Sequence, residues 1–147
     1  MTAAPAYVAS FEQLRPAMLA RLVEVRTSLD HAIARWSDEA AQAMFDKVLI
    51  GLQALMATND QALHRGFVRS FVALRGAEGL PPDHALRLLI AIGDVGIQVA
   101  RAARADDSAL PLAITYALRV TARLVNEVTA DELARRLAQR RATEAWR

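Results

Sequence analysis

The 147-residue chain contains no cysteine. Disulfides, thiolate nucleophiles and cysteine-ligated zinc are excluded together, and the composition suits a cytoplasmic setting. Lysine is nearly absent too, since Lys47 is the one basic residue among 18 that is not arginine. Aromatic residues make up 5% of the chain, which leaves little from which to build a stacking platform for single-stranded nucleic acid. No apolar run approaches the ~20 residues of a membrane span, because Arg, Asp or Gln interrupts each one. Residues 1–10 lack the basic start and apolar core of a signal peptide. No stretch alternates apolar and polar residues for long enough to argue a strand. What remains is helical periodicity, and the fold class it predicts is all-α: a single-domain bundle of five to six helices.

The length suits one domain able to bury roughly 68–70% of its unfolded surface. The first helix is expected over about 10–36, with Phe11, Leu14, Met18, Leu22, Val25, Leu29, Ala32 and Trp36 recurring at three and four. Pro16 belongs in a first turn or at a kink, because it has no amide donor. Ser37 or Asp38 caps a second helix to about Thr58, with Ala41, Met44, Phe45, Val48, Leu49, Leu52, Leu55 and Met56 inward. Asn59 and Asp60 restart the chain into a third, whose apolar stripe is Leu63, Phe67, Phe71 and Leu74. Gly79 follows it as the residue type preferred past a helix end.

After the stiff turn at Pro81 and Pro82 comes a helix, over 82–105, with more apolar surface than one face needs. Leu88, Ile92, Val95 and Val99 form a bulky face. Gly93, Gly96, Ala100 and Ala103 form a ridge of small residues, suited to a close helix or dimer contact, and Leu86, Ile90 and Ile97 make a third edge. Such a helix must be covered on two or three sides, which predicts a homodimer using this helix or the next. That next helix buries Leu110, Ile114, Ala117, Leu118, Thr121, Leu124, Val125 and Val128. Thr129 and Glu132 have capping-box spacing, so residues 129–147 are either a separate helix or a continuation with a changed face. Leu133 and Leu137 are the only recurrent apolar anchors there, which makes it a candidate output or linker helix within the one domain, 1–147.

Chemistry is sparse. His31, His64 and His84 have no second ligand at metal spacing on their own helices, and no HExxH, ExxH or SxxK motif is present. No catalytic, metal or cofactor set is predicted. His64 flanks the apolar stripe of the third helix and shares an edge with Arg75; it is either a boundary histidine or one that hydrogen-bonds a ligand or ligates haem. Asp94, between two glycines, shares its stripe with Arg87, Gln98 and Arg101 and is expected exposed or ion-paired. The arginines of the last segment could meet phosphates, but Asp131, Glu132 and Glu144 sit among them, and a solvated helix face without nucleic acid is expected.

The run Phe67-Val68-Arg69-Ser70-Phe71-Val72-Ala73-Leu74-Arg75-Gly76-Ala77-Glu78-Gly79-Leu80, with the Asn59-Asp60 turn before it and Ala85-Leu86 after it, resembles the N-terminal sensor modules of RsbR-type stressosome proteins. The resemblance covers roughly residues 40–105. It implies a haem-free, globin-like, dimeric stress-response module that signals through a C-terminal helix to a STAS domain or another signalling protein. Some modules of this kind bind fatty acids, so the resemblance also implies an apolar ligand pocket, lined here by Phe45, Leu49, His64, Phe67, Phe71 and Arg75. The expected function is regulatory and non-enzymatic; a ligand-free helical interaction module and a small-molecule or haem-binding globin-like protein are the alternatives.

Overall fold

In the computed structural model, which describes residues 4–104 and 106–146, six helices follow one another. They are α1 (Ala6–Leu29), α2 (His31–Ala34), α3 (Asp38–Thr58), α4 (Gln61–Ala77), α5 (Pro82–Ala103) and α6 (Ala109–Ala145), with no strand among the described residues. Ala105, expected as the end of the helix over 82–105, and Arg147, at the end of the last segment, lie outside the described residues, as do Met1, Thr2 and Ala3 of the N-terminal segment. Among the described residues no helix is long and apolar enough to cross a membrane.

The first expected helix is two. Asp30 takes an extended conformation and its carboxylate accepts the amide of Ala32 at 2.8 Å, so it caps a new turn. The break resets the helical phase, which is why Ile33 is buried and Ala32 is exposed. Because α1 starts at Ala6, Pro16 falls in its interior, where its missing amide cannot bond the preceding turn. Ser37 Oγ accepts Ala40 N–H at 3.1 Å and starts α3, and Asn59 closes it in the left-handed conformation. Asp60 then caps α4 through Leu63 N–H at 3.0 Å. At the far end of α4, Leu80 N–H bonds Arg75 O and Gly79 N–H bonds Gly76 O, both at 3.0 Å, around Gly79 at φ 86°.

Helix α3 buries the stripe its sequence predicts, residue for residue, and α6 buries its expected stripe with Pro111 and Val120 in addition. Helix α4 does not. Its buried residues are His64, Val68, Phe71 and Arg75, whereas Leu63 and Leu74 are 63% and 55% exposed and Phe67 is half-buried. The helix is rotated by part of a turn relative to its leucines, because its two ring- and guanidinium-bearing residues have partners inside and the leucines do not.

The small-residue ridge of α5 is consumed within the chain. A Cβ on Gly93 would lie 2.3 Å from a Leu118 methyl, and one on Gly96 would touch Met18 and Ile114. At Gly93 the Leu118 side chain occupies the space a Cβ would take, which accounts for that glycine's cost of ~1 kcal/mol in a helix; at Gly96 a Cβ would make only ordinary contacts with the side chains of α1 and α6. Ala100 is buried with them, while Ala103 is exposed at the helix end. Arg104, just past α5, donates to Ser10 Oγ and to Gln13 Oε1, both at 3.0 Å, and ties this end to α1.

Helix α6 is continuous through Thr129, whose hydroxyl donates back to Val125 O at 2.7 Å instead of capping a new helix. Val128 is its last buried residue. Beyond Glu132 every described residue is exposed, so the end of α6 projects from the body as a single helix. Leu133 and Leu137 are 59% and 46% exposed there. Arg135 and Arg136 both bond Glu132, and the hydrogen bond from Arg135 chiefly holds that carboxyl below its ordinary range.

Candidate functional site

His64 stands on the inward side of α4, 3% exposed, directly across from α6. Thr121, also buried, donates its hydroxyl proton to Ala117 O at 2.7 Å, so its oxygen accepts Nε2–H of His64 at 2.8 Å. That pairing places the imidazole proton on Nε2. Burial lowers the pKa of His64 below 6.5 by disfavouring the charged ring. The neutral ring stacks on Phe67 with centroids 5.5 Å apart, and Phe67 in turn meets Phe71 at 6.2 Å. The other edge of the Phe67 ring lies on the backbone of Gly51, where any Cβ would be 3.0 Å from it. Gly51 is the residue that lets α3 and α4 admit this ring.

A cavity of about 40 Å³ opens beside His64, lined also by Gly51, Leu55, Thr58, Asp60 and Phe67. Since a water needs roughly 10–15 Å³ by this kind of measure, the space suits two or three water-sized groups. An acyl chain does not fit. Of the six residues expected to line a pocket, only His64 and Phe67 line this one; Phe45 and Leu49 are fully buried in the filled core of α3. Haem does not fit either, because Nε2 of His64 is committed to Thr121 and the cavity is far smaller than a porphyrin.

Arg75 closes the far end of this aromatic row, three turns along α4 from His64. Its guanidinium carbon lies 4.8 Å from the Trp36 ring centre and 5.4 Å from that of Phe71, and Nη2 bonds Glu78 at 3.1 Å. The side chain is 8% exposed, and Nε and Nη1 are buried without a protein partner. Cation–π contact offsets part of the cost of burying this charge. Arg75→Met keeps the stem and removes the unpaired donors, so it is expected to change thermal stability by less than ~1.5 kcal/mol, whereas Trp36→Ala leaves the cation uncovered and should cost more; paired thermal melts compare them.

No family model, curated protein or solved structure matches the chain. Among the described residues no three His, Cys, Asp or Glu side chains gather in a metal-binding group. His84 faces Asp30 at the α2–α5 junction, and Asp94 is exposed, as its stripe predicts. Sequence reasoning missed Thr121 as the partner of His64 and Trp36 as that of Arg75. The available signal was the spacing of His64, Val68, Phe71 and Arg75 at four, three and four, which marks one face of α4. Across the same α4–α6 seam, Arg65 bonds Glu127 and Asp131, and Arg123 bonds Gln61 while also holding Glu127 along α6. These pairs are partly exposed, so they set alignment more than they add stability.

Proposed function

We propose that this chain is a non-enzymatic regulatory module that associates with a second copy and passes a conformational signal along α6 to a partner. The observation that carries this reading is the division of α6 into two parts. Up to Val128 it is a core element holding the Thr121 bond to His64, and beyond Glu132 it is a free helix presenting Leu133, Leu137 and four arginines. One rigid rod therefore connects an internal polar contact with an exposed surface. A short solvated helix is marginal by itself, so this end is suited to acquiring a partner. The run 67–80, similar to RsbR-type sensor modules, supports the same reading and suggests a STAS domain as that partner. The filled core around Phe45 and Leu49 favours action by association, without an internal apolar ligand.

Truncation after Val128 tests the division. The shortened chain is expected to keep its helical signal per residue in the body and to lose about 1 kcal/mol or less, since what it forfeits is two roughly half-exposed leucines and exposed ion pairs. Circular dichroism melts should place its midpoint within about 4 °C of the full chain. An unfolded product would assign the segment to the core and remove the output reading.

A further inference from the structure

With Gly93 covered by Leu118 and Gly96 by Met18 and Ile114, one face of α5 is left largely exposed, although Ile97 on it still packs partly against the core. It carries Asp83, Arg87, Ile90, Asp94, Ile97 and Arg101, spaced at four, three, four, three and four. That is the heptad spacing of a helix seam. Ile90 is 36% exposed and Ile97 half-buried, while the four charged residues are exposed. Asp83 and Arg87 make only a 3.5 Å contact with each other, and Asp94 and Arg101 form no ion pair among the described residues. In chain order the charges along the seam alternate: acid, base, acid, base.

We propose that this face is the contact between two copies of the chain, with the two α5 helices antiparallel across a two-fold axis beside Ala91 and Ile92. The reasoning is geometric. At 1.5 Å per residue, that axis brings Asp83 within about 3 Å, along the helix direction, of Arg101 of the second copy. It brings Arg87 equally near Asp94 of the second copy. Two-fold symmetry repeats both pairs, so four opposite-charge contacts flank a centre at Ile90, with Ile97 between the inner and outer pairs. A parallel arrangement would instead set Arg87 on Arg87 and Asp94 on Asp94, which like-charge repulsion disfavours. The pattern is self-complementary in one orientation alone.

The inference rests on the reading of the chain as an association module, and charge exchange separates the two. Wild-type protein in sedimentation equilibrium is expected to be dimeric in the micromolar range. Arg87→Asp alone and Asp94→Arg alone replace attraction by repulsion at two sites, and each should weaken the dimer at least tenfold while the circular dichroism spectrum holds. A one-to-one mixture of the two variants restores both pairs and should return the wild-type affinity as a heterodimer. A chain without cysteine adds a second measure: Ile90→Cys should form a disulfide-linked dimer on mild oxidation, Arg101→Cys should not, and Asp83→Cys mixed with Arg101→Cys should. Single variants that dimerise like wild type, a mixture that fails to recover, or cross-linking of Arg101→Cys with itself would each overturn this surface while leaving association intact. A monomeric wild type would overturn association as well.

Discussion

Gly93→Leu is expected to lower the stability of the protein by about 3 kcal/mol or more. The Cβ it adds falls 2.3, 2.5 and 2.7 Å from the two methyls and the Cγ of Leu118. No rotamer of the new side chain avoids this, because the clash begins at its first atom. Either Leu118 leaves its buried position or α5 and α6 separate, and both expose apolar surface at the most extensive helix contact of the bundle. For a chain of this size the midpoint of thermal unfolding should fall by about 6–12 °C. Leu118→Ala provides the control. In that background the space is vacated, and Gly93→Ala should raise stability by up to ~1 kcal/mol through helix propensity, whereas in the wild-type background it should lower it. A double-mutant cycle by thermal or urea denaturation measures this reversal of sign.

Thr121→Val removes the acceptor for Nε2–H of His64 and leaves a buried donor unpaired, at a cost of about 2 kcal/mol, or roughly 4–8 °C in the midpoint. His64→Leu should cost less than that, because the Thr121 hydroxyl still has Ala117 O. The same histidine imposes a pH dependence. Its folded pKa is lowered by burial while the unfolded ring titrates near 6.5, so above that pH both states are neutral and the contribution of His64 is complete. As the pH falls below 6.5 the unfolded chain takes up a proton that the folded chain resists, and stability declines until the folded ring titrates too. Midpoints between pH 5 and 8 should therefore fall on acidification more steeply in wild type than in His64→Leu. Equal slopes would mean that the ring is not held neutral.

These effects also show which contacts a sequence can display. The stripes of α3 and α6 are legible because almost every inward position is apolar and the phase is unbroken over seven or eight residues. In α4 the same reasoning favours Leu63 and Leu74, the bulkiest aliphatic residues present. Yet their face points outward, because His64 finds Thr121 on α6 and Arg75 finds Trp36 in the α2–α3 connection. Those partners are 57 and 39 residues away, and no local pattern encodes them. The end of the first helix was missed for a different reason: the apolar spacing continues through Asp30, but its carboxylate competes successfully for the backbone and restarts the helix. The surplus apolar surface of α5 was legible as a quantity, and its division between chain-internal packing at the glycines and an open seam at Ile90 needed the positions of α1 and α6.

Helix α6 joins a core segment, up to Val128, to a free one beyond Glu132. Amide hydrogen exchange of the full chain, resolved along α6, measures this directly. Residues 114–128 should exchange only through opening of the whole domain, and residues 133–145 should exchange orders of magnitude faster in the absence of a partner. Equal, slow exchange along the whole helix would contradict it, because the projecting end would then be held by the body and no surface would be left to carry a signal outward.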